Sequence, residues 1–141
     1  MRIENSTFRK SERMVSRKLT EQLFNSGQGH SLVAFPLRAV YMMVPKDSLA
    51  GETVAAQVLM SVSKRHFRHA VDRNRVKRQL REAYRKNKDI VTAVVPEGVV
   101  VAVAFLWLAD SLQPSAVVEK RMKSLLHRIA EQIQPKQDTD N

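Results

Sequence analysis

The chain has 141 residues, 43% of them hydrophobic, with a formal net charge of +10 and no cysteine. That length fits one domain with enough apolar material for a core, which argues against wholesale disorder. The missing thiols exclude a cysteine-ligated zinc and point to a reducing, cytoplasmic compartment.

Residues 1 to 18 are charged and polar, without the apolar segment of a secretory signal, and the first ten read as loosely ordered. A helix is predicted from about Ser11 or Ser16 to Ser26, with Leu19, Leu23 and Phe24 as its buried stripe and Gly27 and Gly29 as its stop. Ser31 to Val44 reads as a strand, with Phe35, Leu37, Ala39 and Tyr41 on one face by period two. This stretch or the 45–53 connector has room for one more strand. Thr53 to Ser63 reads as the next strand. Val54, Ala56, Val58, Met60 and Val62 share one face, and Gln57, Ser61 and Ser63 lie on the other.

A basic helix is expected from about His69 to Lys88. Val99 to Ala109 is an apolar run of 11 residues, too short to cross a bilayer as a helix and suited to the centre of a sheet. Pro114 fits the first turn of a last helix, in which Val118, Met122, Leu125, Leu126, Ile129 and Ile133 keep a helical period. Residues 135–141 form a polar tail. The order predicts an α+β domain with its core over about 10–134. Its small sheet has one apolar face under helices and the other open beside the basic helix.

Residues 64 to 88 carry eleven Lys or Arg against two acidic residues, Asp72 and Glu82, a surplus of nine that is nearly the whole net charge. On a helical wheel Val76, Leu80, Ala83 and Tyr84 form the buried stripe. Arg73 and Lys77 flank it. Asn74, Arg78, Arg81 and Arg85 project away, and Arg75 closes the far side. Glu82 and Lys86 stand at i, i+4, the spacing of a helical ion pair. Arginine forks bind phosphate bidentately and stack on bases, and a polyanion relieves the crowding of like charge while releasing counterions. A membrane-surface helix would carry Trp or Phe on its other face, and a localisation signal would not be interleaved with core positions.

Independent catalysis is not suggested. His30, His66, His69 and His127 show no i, i+4 pair, no carboxylate cluster accompanies them, and no nucleophile–base set appears.

Ser61-Val62-Ser63-Lys64-Arg65, then Ala70-Val71, then Arg73-Asn74-Arg75-Val76-Lys77-Arg78 with Arg81 and Tyr84, resembles the signature of the bacterial ribonuclease P protein subunit. A weaker likeness runs from Phe24 and Gly27 to Ser124-Leu125-Leu126. The resemblance implies a two-layer α/β sandwich related to a ribosomal-protein domain, with about four strands, three helices and a left-handed βαβ crossover. It implies a protein that binds a catalytic RNA and the 5′ leader of precursor tRNA. The RNA performs the magnesium-dependent hydrolysis and, with the substrate, holds the magnesium. By position, Ser63, Lys64, Arg65, Arg68, Arg73, Asn74, Arg75, Lys77, Arg78, Arg81 and Arg85 would contact the catalytic RNA. Phe24, Phe35 and Tyr41 are the candidates for a leader cleft made by the sheet and the first helix, where aromatic faces stack on unpaired bases.

The protein outside the ribonucleoprotein is expected to be a monomer. Three departures stand out. Leu19 and Thr20 occupy a turn where the family often has a second aromatic. His69 stands where the family often has an Asn cap. The segment Arg65 to His69 is basic where the family commonly has Gly or Asn. The competing readings are a ribosomal or ribosome-assembly RNA-binding protein and a free-standing nuclease.

Overall fold

The structure, a computed structural model, describes residues 8, 10–14, 16–49 and 54–134. The start of the second predicted strand at Thr53, the first seven residues and the 135–141 tail lie outside the described residues.

A 3₁₀ turn at Lys10–Glu12 leads into helix α1, Arg17–Asn25. Ser16 caps it, its Oγ accepting from the Leu19 amide at 3.1 Å, so the helix begins at the later of the two expected starts. Leu19 and Leu23 are buried as predicted, but Phe24 is 43% exposed. One residue past Leu23 is a step of about 100°, which carries the ring off the buried stripe. Gly27 ends the helix with φ of +78°, and a Cβ at Gly29 would stand 2.4 Å from the Leu23 carbonyl oxygen.

The long apolar stretch that follows is two strands, β1 (His30–Ala34) and β2 (Leu37–Pro45), paired antiparallel about Phe35 and Pro36. This is the additional strand the stretch had room for. Phe35 therefore sits in the turn, 60% exposed, and not on the buried face with Leu37, Ala39 and Tyr41. Strand β3 (Ala56–Ser61), helix α2 (Ala70–Asn87), the short α3 (Asp89–Thr92), strand β4 (Val99–Trp107) and helix α4 (Ser115–Ile133) complete the chain. Pro114 is the cap of α4 and not its first turn. The short α3 adds a fourth helix to the three expected.

The sheet order is β1-β2-β4-β3. β2 runs antiparallel and β3 parallel to β4, so the apolar run of Val99 to Trp107 lies in the sheet interior. A crossover through α2 and α3 joins the parallel pair.

The larger core lies where α2 and α4 cover the sheet. It joins Leu37, Ala39 and Tyr41 of β2 and Val101, Val103, Phe105 and Trp107 of β4 to Val76, Leu80, Tyr84, Met122, Leu125 and Ile129. Each such aliphatic or aromatic side chain contributes about 1.5–3 kcal/mol through burial. The opposite face does not stay open along its length. Leu19 and Leu23 of α1, with Met14, pack on Val40, Met42, Val44, Val100, Ala102 and Ala104. Every second residue of the two interior strands is apolar on that side too, and α1 is the element that covers them. Of the three methionines the sequence leaves unplaced, Met42 is core, Met60 packs against the larger core and Met43 is 46% exposed.

Candidate nucleic-acid interface

Helix α2 presents two unlike sides. Val76, Leu80, Ala83 and Tyr84 are buried, while Asn74, Arg75 and Arg78 are exposed and Lys77 and Arg81 half-buried at the margins. Asp72 in the first turn and Arg85 and Lys86 in the last suit the helix dipole. His69 occupies the cap position without a side-chain cap hydrogen bond, consistent with an imidazole being a poor substitute for Asn.

The cations of α2 are not equally free. Arg85 pairs with Glu82 at 2.9 Å, and Lys86 lies 3.9 Å from Glu119 of α4, in place of the expected Glu82–Lys86 pair. The hydrogen bond from Arg85, with the charges of Arg85 and Lys86, holds the Glu82 carboxyl below the usual carboxylate range against a small desolvation cost. Arg75, Lys77, Arg78 and Arg81 have no carboxylate within 4 Å among the described residues. With Lys64, Arg65 and Arg68, all exposed on the approach to α2, they form a cationic surface that no described carboxylate neutralises.

Arg73 behaves differently. Its Nη1 donates to the carbonyl oxygens of Phe67 at 2.8 Å and Arg68 at 3.1 Å. The guanidinium lies in the angular sector of the buried stripe, about 60° from Val76, and reaches back to hold the approach loop. That loop has two more anchors. Phe67 is buried with its ring 6.5 Å from that of Trp107, and His66 Nδ1 lies 2.7 Å from Asp110 Oδ1 across the β4–α4 loop. Ser63 starts the loop as a turn, its Oγ accepting from the Arg65 amide at 3.1 Å and its carbonyl from the His66 amide at 3.1 Å. Sequence reasoning missed these anchors. The available signal was Phe67 itself, one large apolar residue inside a basic run.

The three aromatic candidates for a leader cleft are not brought together. Phe24 projects from α1 and Phe35 from the β1–β2 turn. Tyr41 is buried on the sheet face opposite α1, its ring 5.2 Å from that of His30 and its hydroxyl donating to Gln132 of α4. A buried ring on the far face cannot share a cleft with Phe24. On the α1 side, register places Arg38 beside Leu106 and Leu106 beside Ser61, a row only partly covered. Arg38 is exposed there, its Nε donating to Ser31 Oγ at 2.9 Å.

Among the described residues no three His, Asp or Glu side chains gather as metal ligands, so these residues offer no ready donor set for magnesium. No described helix is long and apolar enough to cross a membrane. The arrangement supplies positive charge, guanidinium planes and a fixed loop, which is the chemistry of binding a nucleic acid.

Comparison with known proteins gives the same direction. The sequence profile described as Ribonuclease P matches residues 8–130. The Ribonuclease P protein component of Porphyromonas gingivalis W83 is 41% identical over 122 residues, 86% of this chain and 85% of that one. The solved RNase P protein of Staphylococcus aureus superposes with a TM-score of 0.63 at 17% identity, over 89% of this chain and all of that one. The RNase P protein from Thermotoga maritima gives 0.61 at 20% identity, over 83% and 96%. At such identities the two structures speak for the fold alone.

Proposed function

Because the chain belongs to the ribonuclease P protein family, it is the accessory protein component of a ribonucleoprotein endoribonuclease that processes tRNA 5′ leaders, and we propose that α2 is the face on which it takes its RNA subunit. The observation that carries this reading is the row of Arg75, Lys77, Arg78 and Arg81, without a carboxylate partner among the described residues, beside a loop anchored on its own core. Phosphate neutralisation by such a row is favourable through counterion release, and arginine adds bidentate geometry. A ribosomal RNA-binding role shares the composition but not the family.

Within this reading the named cations divide by task. Lys64, Arg65, Arg68, Arg75, Lys77, Arg78 and Arg81 contact RNA, with Ser63 and Asn74 as neutral hydrogen-bonding partners. Arg73 positions the loop that presents the first three. Arg85 serves through its pair with Glu82. The leader of precursor tRNA runs over the α1 side of the sheet, where Phe24 and the Arg38–Leu106–Ser61 row are accessible. Magnesium belongs to the RNA and its substrate. The protein's cations lower repulsion between substrate and RNA-subunit phosphates, which share one surface only when that charge is screened. The absence of cysteine supports a reducing, cytoplasmic setting.

The test is precursor cleavage by the RNA subunit across a magnesium series, with and without the protein. The expected outcome is a lower magnesium requirement when the protein is present. An unchanged requirement would remove the electrostatic role.

A further inference from the structure

A groove separates the N-terminal segment from α2. Phe8, Arg13 and Met14 form one wall, Lys77 and Arg81 the other, and edge strand β3 the floor. Its open volume is about 230 Å³. That suits one planar base and not a duplex.

Three features give the groove a direction. First, Arg13 lies over the Phe8 ring, its guanidinium carbon 5.5 Å from the centroid. Phe8 is itself braced edge-on against buried Tyr84 at 5.6 Å, so the core orients a flat cationic plate. Second, Arg13, Lys77 and Arg81 have no carboxylate partner within 4 Å among the described residues. Third, the Met14 amide donates to the Val58 carbonyl at 2.9 Å, which covers the β3 edge at that point. Alternation along a parallel strand turns the amide and carbonyl of Met60 to the same side as those of Val58, away from β4. Apolar floor, guanidinium plate and cations at the rim are the parts that hold an unpaired nucleotide.

We propose that this groove binds one unpaired nucleotide of the RNA subunit, its base stacked on Arg13 and its flanking phosphates on Lys77 and Arg81. The inference rests on α2 being the RNA-binding face, since Lys77 and Arg81 belong to that helix. The leader is the less favoured occupant because its assigned path lies along the α1 side of the sheet. A phosphate track alone would have no use for the apolar Met14 in the wall and Met60 in the floor.

The test uses the full chain and its transcribed RNA subunit, with affinity measured over a salt series without precursor tRNA. Arg13→Lys keeps the charge and loses the plane. It should weaken binding about fivefold or more, with an unchanged salt slope. Lys77→Gln and Arg81→Gln should each flatten the logarithmic slope by about 0.7. Ultraviolet crosslinking of the complex, read by mass spectrometry, should place a nucleotide on the peptide holding Phe8 to Met14 or on Met60.

Wild-type affinity in Arg13→Lys would overturn the pocket, and so would a groove crosslink that forms only when precursor tRNA is added. If Arg75→Gln and Arg78→Gln weaken binding while the groove variants do not, the pocket alone fails. If none of them has an effect, the reading of α2 fails with it.

Discussion

Helices α2 and α4 lie on the same face of the sheet, yet they use their surfaces differently. α4 buries seven residues over its 19, whereas α2 buries four over its 18. The narrower stripe leaves more of the circumference of α2 to carry charge. On α4 several polar groups are answered within the chain. Arg128 donates to the Val33 carbonyl at 2.9 Å, and Glu119 meets Asn87 and Lys86. Lys120, Arg121 and Lys123 stand between Glu119 and Glu131, and α4 carries four Lys or Arg against two Glu, where α2 carries seven against Asp72 and Glu82. On α2 the cations from Arg75 to Arg81 have no acidic residue among them. Two amphipathic helices of similar length thus differ in how far their outer charge is balanced locally, and the proposed contact surface is the less balanced of the two.

The strongest way to break the comparison is through the core. Leu80 and Leu125 are both fully buried in one cluster. Leu80→Ala and Leu125→Ala should each cost about 2–5 kcal/mol, measured by denaturant unfolding. If α4 is scaffold only, RNA affinity in Leu125→Ala should fall no further than its unfolded fraction requires. A larger fall would move α4 into the interface.

A sharper contrast comes from the outer faces. The pair Arg75→Gln and Arg78→Gln should flatten the logarithmic salt dependence of RNA binding by about 1.4 to 1.8, since each phosphate contact contributes about 0.7–0.9. Lys120→Gln with Lys123→Gln should leave the slope unchanged. Neither pair should shift the unfolding midpoint appreciably, because exposed charges contribute little to stability. Arg73→Gln should do the reverse of the first pair. It loses about 1 kcal/mol of stability with its two backbone contacts, while the salt slope keeps its value. Equal slopes in the α2 and α4 variants would erase the distinction between the helices.

The sequence made the buried halves of these helices legible and left the use of their outer halves partly hidden. The stripes from Val76 to Tyr84 and from Val118 to Ile133 follow the helical period directly, and so does the interior placement of Val99 to Trp107. The β1–β2 turn was not legible, because Phe35 and Pro36 interrupt an apolar run without Gly, Asn or Asp to mark it. The half-polar look of β3 suggested a sheet face open to contact. That holds at the edge, where Gln57 and Ser61 are half-exposed, but α1 covers the same face over β2 and β4. Arg73 read as one more cation of a basic helix. Only the folded loop, with Phe67 set on Trp107, shows that its guanidinium is occupied by carbonyls. Phe8 and Arg13 gave no local signal either, because their groove exists only where the N-terminal segment meets β3 and α2.

The smallest expected effect probes how each helix holds its tyrosine. Burial pushes both phenols above the ordinary value, near pH 10. Tyr84, on α2, is shifted further, first by burial and then by the nearby charges of Glu12 and Asp89. Its hydroxyl is buried without a hydrogen-bond partner among the described residues. Tyr41 has a buried ring, but its hydroxyl reaches Gln132 at the exposed side of α4. A phenol whose folded pKa is raised contributes stability that is whole below about pH 10 and is lost as pH climbs toward the folded value. In an alkaline titration Tyr41 should therefore ionise first, slightly late, with helix content intact. Tyr84 should ionise only as the helices melt, so that the second half of the tyrosinate absorbance follows loss of the far-ultraviolet helical signal. Should both phenols ionise together near pH 10 in a chain that stays helical, α2 would be looser against its core than α4, and the fixed platform on which its cations stand would be gone.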